Sequence, residues 1–424
     1  MRATAVSLRI ALVDLSWPGY HSLGLAYIRA FAEADPRLRD SISFNTMNLS
    51  CEEDPWWIAY RLDLLKPDVV GFSVTCFNAH VAYEAAKLVR AAHPEVRVVL
   101  GGPEVGPIAE EVLRVHPHID FVVRGEGEQT FADLASAILD GNEADDIPGV
   151  TRRVDGSVAS GPDRPPIEDL DSIPSPILTG ALTPIDGLTF IETYRGCPNR
   201  CAWCYEGKGS HRIRSFSKQR IAAEIDALAS APGVKSFSFI DPVFNLNDDH
   251  LEHLTQLLES HAIVGLRLHT IEVDLQRIEP HHAGMLSRSG VVSVEGGPQT
   301  IGARSLAVCN RKFDPKRFKS GVDACRSHGI RVQCDLIVGL PGDDFAQTLD
   351  NFEYVLSIDP GRLQVSTLHV LPGTELWDRA EDFGIQFDRQ PPHIVVRNRD
   401  MDFGQIRQAE AFGLALTEAY KATI

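Results

Sequence analysis

The sequence predicts an α/β protein with two main domains, a doubly wound parallel sheet followed by a partial (β/α)6 barrel. Over residues 1–140, short apolar runs alternate with amphipathic helical stretches, which is typical of a parallel sheet covered by helices on both faces. Over residues 189–375, six further strand–helix units recur at intervals of about 35 residues, which indicates an incomplete barrel. A chain of 424 residues with 44% hydrophobic content is long enough to bury two cores.

Five strands are predicted in the first domain, at residues 9–13, 42–45, 69–73, 96–100 and 121–123. A turn or polar segment follows each strand, and helix-forming sequence comes next, as at residues 23–33 and 80–92. Ligands of open parallel sheets bind beyond the carboxyl ends of the strands. The segments that follow the strands are therefore the candidate binding loops of this domain.

A change of composition separates the two domains. Residues 141–188 are rich in Asp, Pro and Gly and are predicted as an ordered linker. The barrel strands are predicted at residues 190–194, 236–240, 266–271, 291–295, 331–338 and 363–369, with helices at residues 218–229, 248–261, 315–328 and 345–356. Residues 376–424 read as a small, partly helical C-terminal appendage without an obvious function.

Composition and charge exclude several classes of protein. Acidic residues outnumber basic ones by 58 to 41, and the formal net charge of −17 disfavours binding to a phosphate backbone. No segment approaches the roughly 20 apolar residues of a membrane span. The apolar run that ends at Val13 is followed by Asp14 and has no small-residue cleavage site, so we expect a first strand and not a signal peptide. The expected protein is cytoplasmic and binds neither nucleic acid nor membrane.

Eight cysteines are distributed unevenly along the chain. Three lie within eight residues, which indicates one metal site and not a disulfide framework. The other five lie in apolar contexts typical of buried small side chains, and we assign them no role: Cys51, Cys76, Cys309, Cys325 and Cys334.

The clustered cysteines form a C-x3-C-x2-C run, Cys197, Cys201 and Cys204, directly after the first predicted barrel strand. Thiolates at this spacing suit an iron–sulfur cluster or zinc. Three thiolates on a cluster of four irons leave one iron open for an exogenous ligand. A structural zinc needs a fourth protein ligand, for which His211 is the nearby candidate, and a barrel context fits poorly with a zinc ribbon.

This run resembles the motif of the radical S-adenosylmethionine (SAM) enzymes, C-x3-C-x-aromatic-C, with Trp203 at the aromatic position. The resemblance implies an oxygen-sensitive 4Fe-4S cluster on the three cysteines and a TIM-type barrel around it. It also implies that the open iron chelates the methionyl part of SAM and that Trp203 lies against adenine. The alternative for Trp203 is packing alone.

Later strand ends match the same family less specifically. By this resemblance, Asp241 follows the second barrel strand, where such enzymes place groups that meet the methionyl amine. Glu295 ends the fourth strand, where a carboxylate reaches the ribose or the amine, and Gly339 follows the fifth, where backbone meets adenine. The alternative for Glu295 is a salt-bridged barrel carboxylate.

The first domain resembles the Rossmann-like cobalamin-binding domains that precede many radical SAM barrels, so that the resemblance covers residues 9 to about 377. It depends on the order of several short segments, which begin at Leu23, Gly71, Gly101, Arg124 and Arg164. Paired glycines let backbone approach a flat aromatic tail, and hydroxyls can bond its edge. The resemblance implies cobalamin contacts at His21, Ser73, Thr75, Gly101, Gly102, Pro103, Glu104, Gly125 and Glu126.

One departure from the cobalamin pattern concerns the cobalt ligand. Many cobalamin domains carry D-x-H-x-x-G, whereas here Asp14 precedes His21 by seven residues and only the H-x-x-G part is kept. The radical SAM subgroup often lacks a ligating histidine in this loop. A single histidine at a helix entry more commonly forms local hydrogen bonds.

Together the two resemblances imply methyl transfer to an unactivated carbon of a small molecule or peptide, through a 5'-deoxyadenosyl radical and methylcobalamin, with catalytic side chains unassigned. They also imply an external electron donor of the flavodoxin or ferredoxin type. A second hypothesis uses the same cofactors for cyclisation, ring contraction or rearrangement. A third is a cobalamin sensor or carrier with a structural cluster. Loops that carry no readable code leave the substrate open.

Overall fold

The computed structural model describes residues 7–142, 144–206, 212–263 and 265–421. The chain divides into two compact units, Met1–Thr183 and Pro184–Ile424. Both are α/β, as the sequence predicts.

The first unit is built on a seven-stranded sheet of order β2-β1-β3-β4-β5-β6-β7, in which β1 to β5 are parallel and β6 and β7 are antiparallel. Its elements are β1 (Leu8–Ser16), α1 (Leu23–Ala34), β2 (Ile42–Ser50), α2 (Pro55–Leu65), β3 (Val69–Ser73), α3 (Ala79–Ala92), β4 (Arg97–Gly101), α4 (Ala109–Val115), β5 (Phe121–Val123), α5 (Gly127–Leu139), β6 (Val150–Val154), β7 (Ser157–Ser160) and α6 (Pro176–Thr179). The strand order reverses between β1 and β3, which makes the carboxyl ends of these two strands the switch point where such sheets bind ligands.

Strand β1 is buried on both faces, which explains its uninterrupted apolar sequence. Leu12 lies in one core with Phe131 of α5, and Val13 lies in a second core with Ala82 of α3. Successive side chains of a strand point to opposite faces, so these two neighbours serve separate cores. Helices therefore cover both faces of the sheet, as the sequence predicts.

The segment predicted as a linker, residues 141–188, contains β6 and β7 and thus extends the sheet. Arg164 fixes the chain that follows them, since its guanidinium donates to Thr130 Oγ1 at 2.8 Å and to Asp133 Oδ2 at 2.6 Å on α5. The Asp-, Pro- and Gly-rich composition supplies the turns between these pieces. In the structure the first unit ends at Thr183.

The second unit contains an incomplete barrel and the C-terminal segment. Its elements are β8 (Phe190–Ile191), β9 (Tyr194–Arg195), β10 (Arg214–Ser215), α7 (Lys218–Ser230), β11 (Ser236–Phe239), α8 (Asp248–Ile263), β12 (Arg267–Leu268), β13 (Ile271–Glu272), α9 (Pro280–Arg288), β14 (Ser293–Glu295), α10 (Ala303–Val308), α11 (Pro315–Ser327), β15 (Arg331–Val338), α12 (Phe345–Ile358), β16 (Gly361–Thr367), α13 (Glu375–Asp378), β17 (Gln386–Phe387), β18 (Val395–Arg397) and α14 (Phe403–Lys421).

Six strand positions of the barrel run parallel. Strand β11 pairs with β8 and β12, and the row β13-β14-β15-β16 continues the barrel. The predicted strand at residues 266–271 is divided into β12 and β13, because the first piece pairs with β11 and the second with β14. A parallel bridge from Leu268 to Val291 links the two rows.

The C-terminal segment packs on the last barrel strand. Thr367 Oγ1 on β16 donates to Glu410 Oε1 of α14 at 2.9 Å. Gly413 permits the close contact, since a Cβ there would lie 2.3 Å from Cγ1 of Val365. Among the described residues, no helix is both long and apolar enough to cross a membrane.

Candidate functional site

The three motif cysteines lie on the loop that follows β9. Two backbone hydrogen bonds hold this loop: Ala202 N donates to Cys309 O at 3.1 Å, and Leu376 N donates to Ala202 O at 3.0 Å. The loop is therefore held between the end of α10 and the start of α13. Helix α13 lies at the start of the segment predicted as an appendage without function, and it supports the motif directly.

All three cysteines line one cavity of about 1280 Å³ in the second unit, as does the half-buried Trp203. Polar side chains of the barrel strands line the same cavity: Glu272, Glu295, Asp335, Gln364 and Ser366. The structure thus brings the cysteines, Trp203 and Glu295 together, as predicted from the sequence. The volume is that of a site for a cofactor or a substrate.

The thiols fit an iron–sulfur cluster. None is in a disulfide, and burial raises the pKa of Cys197 and takes that of Cys204 to about 12, so these two thiols are neutral before iron binds. Bound iron supplies the positive charge that deprotonates such thiols. Glu206 N donates to Cys204 Sγ at 3.3 Å, a contact that favours the thiolate.

The zinc alternative rests on His211, which lies outside the described residues. Within the described ranges, no three His, Cys, Asp or Glu side chains are grouped so as to hold a single metal ion.

A row of carboxylates on β13, β14 and β15 lines the same cavity as the thiols. Glu272 and Glu295 are register partners on β13 and β14, and Asp335 lies on β15. Partial desolvation and the charges of Glu295 and Glu206 raise the pKa of Glu272 to about 7. Desolvation also raises the pKa values of Glu295 and Asp335. The cavity therefore favours a cationic guest.

Arg311 lines the same cavity and contacts the cysteine loop. Its Nη1 donates to Cys201 Sγ at 3.5 Å, and its Nη2 donates to Gly297 O at 2.5 Å. The guanidinium carbon lies 5.8 Å from the centroid of the Trp203 ring.

Asp241 does not line the cavity, contrary to the expectation that it meets SAM. Its carboxylate is 2% exposed and accepts hydrogen bonds from the backbone N–H of Thr193, at 2.8 Å, and from Thr193 Oγ1. His250 Nε2 lies 3.2 Å from the same hydroxyl. Asp241 thus bends the chain after β8 and supports the base of the cysteine loop, which also explains why the predicted strand at residues 190–194 is divided.

Gly339 also lies away from the cavity wall. Its φ of +89° turns the chain after β15, and its carbonyl accepts a hydrogen bond from Asn398 Nδ2 at 2.9 Å. The residues of β15 that line the cavity are Asp335, Leu336 and Ile337. The carbonyl of Gly339 is therefore held by the loop after β18.

In the first unit, the candidate loops meet at the switch point of the sheet. Ser73 ends β3 and Thr75 follows it, both half-buried. Asn78 joins the loops after β1 and β3, because its Nδ2 donates to Leu15 O at 2.9 Å and to Ser73 O at 3.0 Å, while its Oδ1 accepts from Thr75 N at 2.9 Å. The two loops therefore form one fixed edge.

Gly101 and Gly102 contact the neighbouring loop of this edge, whereas the sequence suggested that they leave room for a ligand. Gly102 has φ +113°, and a Cβ there would lie 2.4 Å from Val74 O. Its missing side chain thus accommodates the neighbouring loop, where we expected it to accommodate a ligand. Val74 N donates to Gly101 O at 2.7 Å, and Glu104, which follows the half-buried Pro103, is 2% exposed.

Gly125 and Glu126 follow β5. Gly125 is exposed, has φ +70°, and no heavy atom lies within 4 Å of a Cβ built there. Glu126 Oε2 accepts a hydrogen bond from Ile167 N at 2.7 Å. That carboxylate oxygen therefore holds the segment after β7, while Gly125 leaves open space for a ligand.

His21 is half-buried, with Nδ1 3.4 Å from Asn48 Nδ2. Asp14 does not bond the imidazole as in D-x-H-x-x-G. Its carboxylate accepts from Ser16 Oγ at 2.5 Å and from Ser22 N at 2.6 Å, and burial raises its pKa. Asp14 thus shapes the loop that carries His21.

Large aromatic side chains are exposed on the same loops: Trp17 at 55%, Tyr20 at 41% and Phe77 at 62%. A corrin ring has flat apolar faces and an amide-rich rim, which suits aromatic side chains beside the hydroxyls of Ser73 and Thr75. The residues at this edge fit cobalamin.

Two family models match the chain in succession. The B12 binding domain matches residues 18–135, and the Radical SAM superfamily matches residues 191–355. The chain belongs to the cobalamin-dependent radical SAM enzymes. Its cofactors are a 4Fe-4S cluster, SAM and cobalamin.

Relatives of this cobalamin-dependent radical SAM enzyme extend over most of its length. An uncharacterized methyltransferase of Pyrococcus horikoshii is 28% identical over 84% of this chain and 78% of its own. The anaerobic magnesium-protoporphyrin IX monomethyl ester cyclase of Rubrivivax gelatinosus is 26% identical over 92% and 74%. The cobalamin-dependent radical SAM methyltransferase TokK of Streptomyces tokunonensis is 24% identical over 89% and 58%.

A solved structure supports the fold of this cobalamin-dependent radical SAM enzyme. The radical SAM methyltransferase TsrM of Kitasatospora setae, with tryptophan and a SAM analogue bound, superimposes with a TM-score of 0.73. The match covers 95% of this chain and 82% of that chain at 19% identity.

Several site residues of this cobalamin-dependent radical SAM enzyme escaped the sequence analysis: Glu272, Asp335, Arg311 and Asn78. Asp335 carried a signal, because a carboxylate inside the apolar run of β15 is unusual. Arg311 carried none, since it lies in a polar loop after α10 and meets Cys201 only through the fold.

Proposed function

We propose that this protein transfers a methyl group from SAM to an unactivated carbon of a small molecule or peptide. The observation that carries the proposal is the cavity of the second unit, which the three cluster thiols line together with a row of carboxylates from the barrel strands. The methyltransferase names of two relatives that match more than four fifths of this chain support methyl transfer over other outcomes.

The chemistry follows from the acceptor. A carbon without a lone pair cannot attack a methyl sulfonium, so a hydrogen atom must first be removed. When bound, the reduced cluster and SAM supply the radical that removes it, and cobalamin supplies the methyl group. The protein aligns these groups, and alignment lowers the entropic part of the barrier.

Within the second unit, the cysteines hold the cluster, Trp203 stacks on the adenine of SAM, and Glu295 bonds its ribose or amine. SAM carries an ammonium and a sulfonium, and both charges suit the carboxylate row. Arg311 stays beside the thiols. Asp241 and Gly339 act on the loops that form the cavity wall and do not contact SAM.

Within the first unit, cobalamin lies on the carboxyl edge of the sheet. Ser73 and Thr75 would offer hydroxyls to its benzimidazole tail, the exposed aromatic side chains would offer apolar contacts to its ring, and the open space at Gly125 would admit it. Glu104 and the Gly101–Gly102 turn support this edge from behind. The place of His21 on the half-buried loop suits a local hydrogen bond better than a cobalt ligand.

A second candidate function is a radical cyclisation or rearrangement with the same cofactors. The observation that favours it is the similarity to the cyclase of Rubrivivax gelatinosus, which covers 92% of this chain. Both functions need an external electron donor, for which a flavodoxin or ferredoxin in the cytoplasm is the proposed class.

The products of SAM separate these functions. The anaerobically reconstituted protein is supplied with reductant, SAM, cobalamin and an extract of a strain that lacks it. Methyl transfer yields S-adenosylhomocysteine and 5'-deoxyadenosine together, and S-adenosylhomocysteine disappears without cobalamin, because that product forms when SAM gives its methyl group to the cobalt. Accumulation of 5'-deoxyadenosine without S-adenosylhomocysteine would reject methyl transfer in favour of rearrangement.

A further inference from the structure

We propose that Arg311 raises the reduction potential of the iron–sulfur cluster. It acts as a positioning residue, through its hydrogen bond to Cys201. The guanidinium Nη1 lies 3.5 Å from Cys201 Sγ, within the range of N–H···S hydrogen bonds. Neither the motif nor the proposed methyl transfer requires an arginine here. The inference rests on the cluster itself, so it can fail while methyl transfer holds.

A second contact fixes the direction of the guanidinium. Its Nη2 donates to Gly297 O at 2.5 Å. The backbone at Gly297 is itself packed closely, since a Cβ there would lie 2.1 Å from Asp335 O. Close packing holds the carbonyl of Gly297 in place. Because the guanidinium is planar and rigid, the bond from Nη2 to this carbonyl keeps Nη1 directed at the Cys201 thiol.

The same side chain lies beside the aromatic residue of the motif. Its carbon is 5.8 Å from the centroid of Trp203, within the range of cation–π contacts. Arg311 thus contacts two residues of the cysteine loop from outside that loop. Its Nε is buried and, among the described residues, has no hydrogen-bond partner. The positive charge therefore stays close to the cluster.

The effect on the cluster follows from charge. Reduction adds one negative charge, and a hydrogen bond to a coordinating sulfur and a nearby cation both stabilise the reduced form. Arg311 therefore raises the reduction potential of the cluster. A cluster that is easier to reduce accepts an electron more readily from its donor.

The test measures the cluster and not the reaction. Full-length wild-type protein and the Arg311→Gln, Arg311→Lys and Lys312→Gln variants are reconstituted, checked for iron content, and titrated with reductant without SAM. Electron paramagnetic resonance reports the reduced fraction. Lys312 is the matched control, because it is exposed on the same cavity and carries the same charge.

We expect the ratio of reduced to oxidised cluster at a fixed ambient potential to fall about tenfold in Arg311→Gln, which equals about 59 mV for a one-electron couple. The ratio in Arg311→Lys should lie between that of Arg311→Gln and that of the wild type, because lysine keeps the positive charge but lacks the forked guanidinium. Lys312→Gln stays within about twofold of the wild type.

Four outcomes would overturn the proposal. One is a wild-type ratio in Arg311→Gln, and another is an equal fall in Lys312→Gln, which would reflect general charge. If Arg311→Gln holds no iron, Arg311→Lys carries the test, and a wild-type ratio in it is decisive against the proposal. Loss of iron from both folded variants would assign Arg311 to cluster retention and reject tuning.

Discussion

The thiols of the cysteine motif depend on iron for their charge. Burial keeps Cys197 and Cys204 protonated in the free protein by raising the pKa of each. Cys201 is buried as well and has the Arg311 guanidinium for a neighbour. Because three thiolates share the cluster, removing any one of them leaves an incomplete set of ligands.

Replacing Cys201 by Ala should abolish the 4Fe-4S cluster. The loop would keep its backbone bonds, since these are made by Ala202, so the protein should stay folded. Iron and sulfide analysis after anaerobic reconstitution measures the outcome. Cys325→Ala is the control, because Cys325 is buried outside the motif. A full cluster in Cys201→Ala, or stoichiometric zinc in the anaerobically isolated wild type, would contradict the assignment.

The pKa of Glu272 predicts how SAM binding depends on pH. Desolvation, Glu295 and Glu206 raise this pKa to about 7, so the free protein holds a proton here below that pH. A cationic ligand favours the ionised carboxylate, and binding then releases the proton. The affinity for SAM should therefore rise with pH up to about 7, by at most about tenfold per pH unit for one proton, and level off above it.

Two variants separate the contribution of Glu272 to the pH profile from that of the ionisable groups of SAM itself. Glu272→Gln should flatten the pH profile measured by equilibrium binding to the reconstituted protein. Glu375→Gln should keep it, because Glu375 lines the same cavity but is bonded to Asn310 and Arg379. Identical profiles for Glu272→Gln and wild type would remove Glu272 from the SAM site.

At the scale of elements, the loops after β3 and β4 determine the shape of the cobalamin edge. Gly102 joins them, because its φ of +113° and the 2.4 Å approach of Val74 O exclude a side chain. Gly102→Ala should lower the free energy of unfolding by about 2 kcal/mol or more. Gly125→Ala should cost only about 1 kcal/mol, since its φ of +70° is strained but its surroundings are open.

Urea unfolding of the two variants, followed by circular dichroism, measures both losses of stability. The comparison keeps the chemical change and the sign of φ constant, so the difference reports the contact with Val74. An equal loss of stability in both variants would mean that the two loops separate without cost.

Elements were predictable where one local pattern decided them. The sequence predicted β3, β5 and β15 with the observed bounds, because their apolar runs end at clear turns. The prediction treated β12 and β13 as one strand, and likewise β8 and β9. The point at which a strand changes its partner leaves no pattern in the local sequence. The strands β6 and β7 were missed because they are short and polar, and because β6 forms against β5 and β7 against β6.

At the scale of the whole molecule, the division into two α/β units was predictable from repeated strand–helix periods, and the motif cysteines were predictable from spacing. The carboxylate row was only partly predictable: Glu295 ends a strand, whereas Glu272 joins it through the register of β13 with β14. Asp241 and Gly339 were placed on SAM because strand ends suggest ligands, yet their hydrogen bonds serve loops of the same unit.

Methyl transfer to carbon is tested most directly with SAM that carries a trideuterated methyl group. The reconstituted protein, reductant, cobalamin and this SAM are incubated with an extract of a strain lacking the protein, and the metabolites are compared by mass spectrometry with those of the Cys201→Ala reaction. Only the reaction with the wild type should contain a metabolite that has gained the intact labelled methyl group on carbon. A new product without the label, formed while 5'-deoxyadenosine accumulates, would contradict it.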